Sequence, residues 1–199
     1  MTMVSTHFKP WIPDKPASKG ATAFHEAVVN STWLQDDLYE LAKIVRSKIH
    51  QGDTVVDFGA GTGSSAILLL KYLKKEINLW LVDNSQSWMA KAYEILNKFP
   101  NIEYFILEKK GDQYATLAET VGVGVADHVI SANTVHLIPN LKETFSGIAL
   151  ALKNGGTFTL QTANLLREGR PEGTLMIDDT VKSVHDIALD IIRTEPQFE

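Results

Sequence analysis

Residues 54–70, TVVDFGAGTGSSAILLL, constrain this chain more than any other stretch. The β-branched residues Thr54, Val55 and Val56 run into Asp57 and Phe58. Glycines follow at the alternate positions 59, 61 and 63, and an apolar run begins at Ala66. Such a string reads as strand, tight turn, helix. β-branched side chains suit a pleated, buried setting. Glycine lets the chain turn sharply and lets another group lie against bare main chain. The start of the following helix presents unpaired N–H groups. A ligand is therefore expected against the turn at 59–63, with the rest of the chain as its scaffold or its lid.

Beyond the turn the pattern alternates. Strands are predicted over 54–58, 77–82, 102–107, 126–131 and 157–161, and helices over 64–75, 85–99, 112–121 and 141–152. The run at 77–82 is almost wholly apolar, as strands buried on both faces are. Ser85 is placed to cap its helix, and Pro100 lies just past that helix's end. Short strands alternating with helices specify βαβ units. The fold class is α/β, a Rossmann-like, doubly wound, mainly parallel sheet with helices on both faces. In such sheets a ligand lies beyond the carboxyl ends of the strands, where the strand order switches. Two more helices are predicted before the sheet, over 21–30 and 32–50, with Ser31 as cap of the second. Ahead of them Pro10, Pro13, Pro16 and Gly20 disfavour regular structure, although Phe8, Trp11 and Ile12 are large and apolar. Residues 1–50 thus read as an N-terminal arm and helical lid, and residues 51–199 as the core. A polar loop over 164–178 and a last helix over 179–193 complete the chain.

With 24 acidic against 19 basic residues the net charge is −5, which argues against a nucleic-acid partner. The absence of cysteine excludes disulfides, thiolate metal ligands and a cysteine nucleophile. His7, His50, His128 and His185 show no ligand spacing, so no metal is expected. No apolar run reaches membrane-spanning length. Nor does the start show a basic segment followed by an apolar one. The expected setting is the cytoplasm, with no membrane partner.

Asp83 ends the second strand about 20 residues beyond the turn, where a carboxylate would accept from both hydroxyls of a ribose. The ligand should therefore carry a nucleoside. The dinucleotide pattern G-x-G-x-x-G, read from Gly59, would need a glycine at position 64, which is Ser64. Asp57 would repel a pyrophosphate but would suit an ammonium group. An NAD-dependent oxidoreductase is the weaker reading.

Residues 55–63, VVDFGAGTG, resemble the first motif of the class I S-adenosylmethionine-dependent methyltransferases. Residues 81–85, LVDNS, with Met89 and Ala92 are similar to that family's second motif. Residues 126–131, ADHVIS, followed by VHLIP at 135–139, resemble its fourth-strand motif, and LKNGGTF at 152–158 its approach to the fifth strand. The resemblance spans residues 40–163 and implies S-adenosyl-L-methionine as cofactor, with S-adenosyl-L-homocysteine as product.

Carried over, Gly59, Ala60 and Gly61 would follow the methionine part and Asp57 would hold its amino group. Asp83 would take the ribose hydroxyls, and Asn84 and Met89 would line the adenine. Asp112 with Gln113 would stand near the adenine amino group, with Glu108 as competitor. Ser131 and Asn133 would face the transferred methyl. His136 is the candidate general base. His25 is second, with Trp11, Phe24 and Trp33 as pocket walls, and Arg167 and Arg170 could bind an acidic substrate. The implied reaction is in-line methyl transfer to an O, N or C atom of a small molecule. The alternative is a non-catalytic methyltransferase-like domain of a larger protein. The family's sheet has two further strands, so the chain is expected to be C-terminally truncated, or completed by a missing region or a second copy.

Overall fold

The computed structural model describes residues 9–162 and Ile187. In chain order these residues form α1 (Lys19–Asn30), α2 (Thr32–Arg46), β1 (Thr54–Phe58), α3 (Ser64–Leu73), β2 (Asn78–Asp83), α4 (Gln86–Leu96) and β3 (Ile102–Ile106). There follow β4 (Lys109–Lys110), β5 (Gln113–Tyr114), α5 (Leu117–Val121), β6 (Ala126–Ala132), α6 (Leu141–Ala151) and β7 (Leu152–Gln161). A 3₁₀ turn spans Val135–Leu137. The main sheet has five strands in the order β3-β2-β1-β6-β7, all pairs parallel. The order switches beside β1, which lies between β2 and β6. The fold is α/β and Rossmann-like. Among the described residues no helix is long and apolar enough to cross a membrane.

Side chains alternate across each strand, and both faces of the sheet are covered. Val55, Leu79, Leu81, Tyr104 and Ile130 pack with α2, α3 and α4 through Leu41, Val45, Leu69, Leu73, Met89 and Leu96. Val56, Phe58, Val82, Phe105 and Val129 pack with α5 and α6 through Leu117, Val121, Ile148 and Ala151. The period of two then requires Asp57 to face the α3 side. It does so, fully buried, between apolar neighbours.

Several expectations are corrected. The helix predicted over 112–121 is instead a β4–β5 hairpin followed by α5. Gly111 and Asp112 form the hairpin turn, and Thr116 with Glu119 makes the capping box that starts α5. Gly20 lies inside α1, which begins at Lys19 because the Ser18 hydroxyl accepts from the Ala21 N–H. Ser31 stands at the N-cap of α2 without a side-chain cap bond, and its Oγ is buried and unpartnered. The predicted helical lid separates in role. α2 is a core layer beneath β1, whereas α1 lies over the glycine turn. The loop over 164–178 and the helix over 179–193 fall outside the described residues, apart from Ile187.

Candidate functional site

The glycine turn leaves the carboxyl end of β1 at the switch in strand order. Its amides are used internally. Gly59 and Ala60 both donate to the Val82 carbonyl, at 2.8 and 3.1 Å. Gly61 N–H donates to Asp83 Oδ2 at 2.8 Å, and Ser85 N–H donates to Asp83 Oδ1 at 2.8 Å. Asp83 therefore ties the end of β2 to the turn. Burial raises its pKa, and the N–H groups of Ser85, Gly61 and Asn84 pull it back. Each carboxylate oxygen keeps a second lone pair for a hydroxyl.

Asp57 is the group under tension. The Ser65 hydroxyl donates to its Oδ2, while Oδ1 is buried with no partner. Desolvation pushes its pKa up to about 7; the Ser65 bond works against this, and the charge of Asp83 adds to it. An orphaned buried acceptor costs about 1–3 kcal/mol, more when charged. The arrangement fits a cationic donor arriving at Oδ1.

The turn is walled on its open sides. Thr134, just past β6, lies directly on Gly59, and its hydroxyl donates to the Gly59 carbonyl at 3.1 Å. A β-carbon at Gly61 would meet Trp88 Cε3 at 3.3 Å. Phe24 of α1 packs on Trp88 with ring centroids 4.4 Å apart. His25 Nδ1 lies 3.3 Å from Thr62 Oγ1 and 3.5 Å from Ser64 Oγ. Burial, then Lys91, lowers the His25 pKa, with Glu26 working against them. These contacts correct the expectation of bare backbone: the glycines first accommodate the protein's own side chains.

The other candidates divide. Asn84 is exposed beside Asp83, at the start of the link to α4. Ala60 is buried. Met89, expected to line the adenine, is a fully buried core residue that shares one face of α4 with Ala92 and Leu96. Ser131 lies inside β6, and its hydroxyl donates to the Phe58 carbonyl at 2.8 Å, so it joins two strands rather than facing a methyl group. Asn133 directly follows β6 with φ 52°, its N–H bound to the Gln161 carbonyl.

Asp112, Gln113 and Glu108 are exposed around the hairpin. Trp11 N–H donates to Tyr104 O at the β3 edge, and the ring packs on the core. Trp33 is 61% exposed and walls no described pocket. His136 lies in the 3₁₀ turn after β6, with Nδ1 2.9 Å from Thr162 Oγ1. His7, His185, Arg167 and Arg170 lie outside the described residues.

Three residues of the site escaped sequence reading: Ser65, Trp88 and Thr134. Ser65 could have been found from its position two turns of chain after Asp57, at the start of α3. Trp88 sits in the first turn of α4, next to the Ser85 cap. Nothing local marks Thr134.

A family profile described as a methyltransferase domain matches residues 49–191. The chain belongs to the class I S-adenosylmethionine-dependent methyltransferases. Over 113 residues it is 30% identical to a highly reducing polyketide synthase of a Fusarium species, covering 54% of this chain and 4% of that protein's length. A crystal structure of the CurJ carbon methyltransferase aligns at 22% identity with a TM-score of 0.62, covering 73% of this chain and 39% of that one. A SAM-dependent methyltransferase from Aquifex aeolicus aligns at 16% identity with a TM-score of 0.55, covering 84% and 87%.

The cofactor of this methyltransferase domain is S-adenosylmethionine. The residues present fit it. Asp57 Oδ1 lacks a donor and would accept from the ammonium group, and Asp83 has lone pairs for ribose hydroxyls. In Asp83→Ala, S-adenosylhomocysteine affinity should fall about 30-fold, as for losing a charged hydrogen-bond partner worth about 2 kcal/mol. Calorimetric titration measures this, and unchanged affinity would show that the ribose is held elsewhere. The melting temperature should fall as well, because Gly61 and Ser85 lose their acceptor.

Proposed function

We propose that this domain methylates a small-molecule acceptor, and that the acceptor atom is a carbon made acidic by a neighbouring carbonyl. Methyl transfer itself is supported best by the orphaned Asp57 oxygen beside the turn. The carbon acceptor is supported by the relatives, one a polyketide synthase and one a carbon methyltransferase, and by the placement of His136. When bound, S-adenosylmethionine supplies a methyl group activated by its sulfonium. Asp57 and Asp83 would fix the cofactor's two ends, which is the alignment that an in-line displacement needs. A carbon acid also needs a base. His136 Nδ1 lies 2.9 Å from Thr162 Oγ1, and the tautomer that donates there would keep its lone pair on Nε2, where it could take the acceptor's proton. Helix α1, with Phe24 and His25, would keep water from the site.

His136→Gln should lower kcat on a β-keto thioester about 100-fold, in line with the loss of a general base. S-adenosylhomocysteine affinity should stay unchanged. Wild-type turnover in the variant at every pH would remove His136 from the chemistry. A non-catalytic domain is the second reading, favoured by Thr134 and Trp88 lying on the turn. Failure of the wild-type protein to bind S-adenosylhomocysteine in the same titration would support it.

A further inference from the structure

We propose a zinc site at the amino edge of the sheet, built from His50, Asp53 and His128. The spacing of these histidines along the sequence does not suggest ligands, but the fold brings two of them to one acid. His50 and Asp53 flank the turn between α2 and β1. Gly52, at φ 85°, reverses the chain there. The Asp53 carboxylate thereby folds back to accept the His50 N–H at 2.6 Å. The turn is pinned from the other side: Gly52 N–H donates to the Glu76 carbonyl at 2.9 Å, and Gln51 Nε2 to Glu76 Oε2 at 3.2 Å. His128 arrives from β6, where it pairs with Val55 of β1.

The ligand atoms converge. His128 Nε2 lies 3.0 Å from Asp53 Oδ2, and His50 Nδ1 lies 3.6 Å from the same oxygen. One ligand atom from each of the three residues falls within 4.8 Å of the others. Tetrahedral zinc with bonds of about 2.0–2.1 Å separates its ligands by about 3.3 Å, so the two distances to Asp53 already fit and binding would have to draw the two imidazoles together. His128 already has the outer partner that a ligating imidazole uses: its Nδ1 lies 2.8 Å from Thr157 Oγ1. Lys153, a neighbouring cation, is paired with Asp127 at 2.7 Å. The His50 side chain is 79% exposed, which leaves a fourth position for water.

Two imidazoles and one carboxylate suit zinc and similar divalent ions. Magnesium and calcium prefer oxygen ligands. The site lies across the length of β1 from the glycine turn, about 16 Å at the usual rise per residue. A bound ion there would clamp the α2–β1 turn to β6 and stabilise the sheet.

The competing explanation is a plain hydrogen bond between His128 and Asp53, in which His50 plays no part. Exposed His50 can be replaced without disturbing the core, so His50→Ala separates the two. Full-length, tag-free protein is stripped with chelator and titrated with zinc chloride by calorimetry, with thermal unfolding in parallel. One equivalent should bind at micromolar concentration and raise the melting temperature, while magnesium should do neither. In His50→Ala the zinc affinity should fall at least about 100-fold, because even outer partners of metal ligands are worth 10–100-fold. Absence of binding by the wild type, or equal binding by His50→Ala, would overturn the proposal.

Discussion

Asp57→Asn is expected to make the protein more stable at pH 8 and to make its cofactor binding weaker. In the folded chain the Asp57 carboxyl is held at about 7, against an ordinary value of 3.8, chiefly by desolvation. The folded state therefore binds more protons than the unfolded state between those values. Stability must fall as pH rises through that window, and the full cost is present above pH 7. Three pKa units correspond to about 4 kcal/mol, an upper figure for what the neutral amide would recover. Asparagine has the same shape and can still accept from Ser65. Urea unfolding at pH 5 and pH 8 measures the effect. The variant's advantage should be small at pH 5 and large at pH 8, and a variant less stable at both would refute the assignment. Binding should move the other way. An ammonium group loses its charged acceptor, worth about 2–3 kcal/mol, or roughly 30- to 150-fold in affinity. Wild-type affinity should rise with pH through 7 as the carboxyl ionises, and the variant should show no such rise.

Gly59→Ala should be the most damaging substitution in the turn. Gly59 sits at φ 77°, where a β-carbon is strained, and that atom would collide with Cβ, Cγ2 and Oγ1 of Thr134. Thr134 is itself tied by hydrogen bonds from its hydroxyl to the Gly59 and Ala132 carbonyls. It cannot rotate away without losing both. The cost should be about 3–4 kcal/mol, combining overpacking of 1–3 kcal/mol with the left-handed backbone penalty. For a chain of this size that is a fall in melting temperature of about 6–16 °C. Adding Thr134→Gly removes the colliding atoms. The double variant should then be more stable than the two single costs predict, leaving mainly the backbone strain. Strict additivity in this cycle would show that the collision is not the cause.

These two positions also show what was legible beforehand. An acid in an apolar strand, followed by alternate glycines, announces β1, the turn and α3 through local propensity alone. Parallel neighbours followed from the short alternation of strands and helices. The hairpin at 109–114 was missed because helix-compatible residues from 112 onward outweighed the turn signal of Gly111-Asp112. The capping box at Thr116 and Glu119 marked the true helix start. Met89 is fully buried, and its spacing to Ala92 and Leu96 already described a buried face. Trp88, one residue earlier, is rotated from that face towards the turn. Thr134 on Gly59 and His128 on Asp53 are contacts across 75 residues of chain. Such pairs depend on strand neighbours and register, which no local pattern carries.

The seating of α1 has an effect on affinity that no single contact reveals. A group laid on the side of Gly61 that Trp88 covers would have to displace that ring, on which Phe24 of α1 packs. If α1 exchanges between a closed arrangement and an open one, and only the open one admits the ligand, the equilibrium between them enters the affinity. The population of the open one multiplies the intrinsic affinity. If closed outnumbers open by about 100 to 1, the observed dissociation constant is weakened about 100-fold with every cofactor contact intact. Residues 19–30 can thus set how tightly the site binds without touching what it binds.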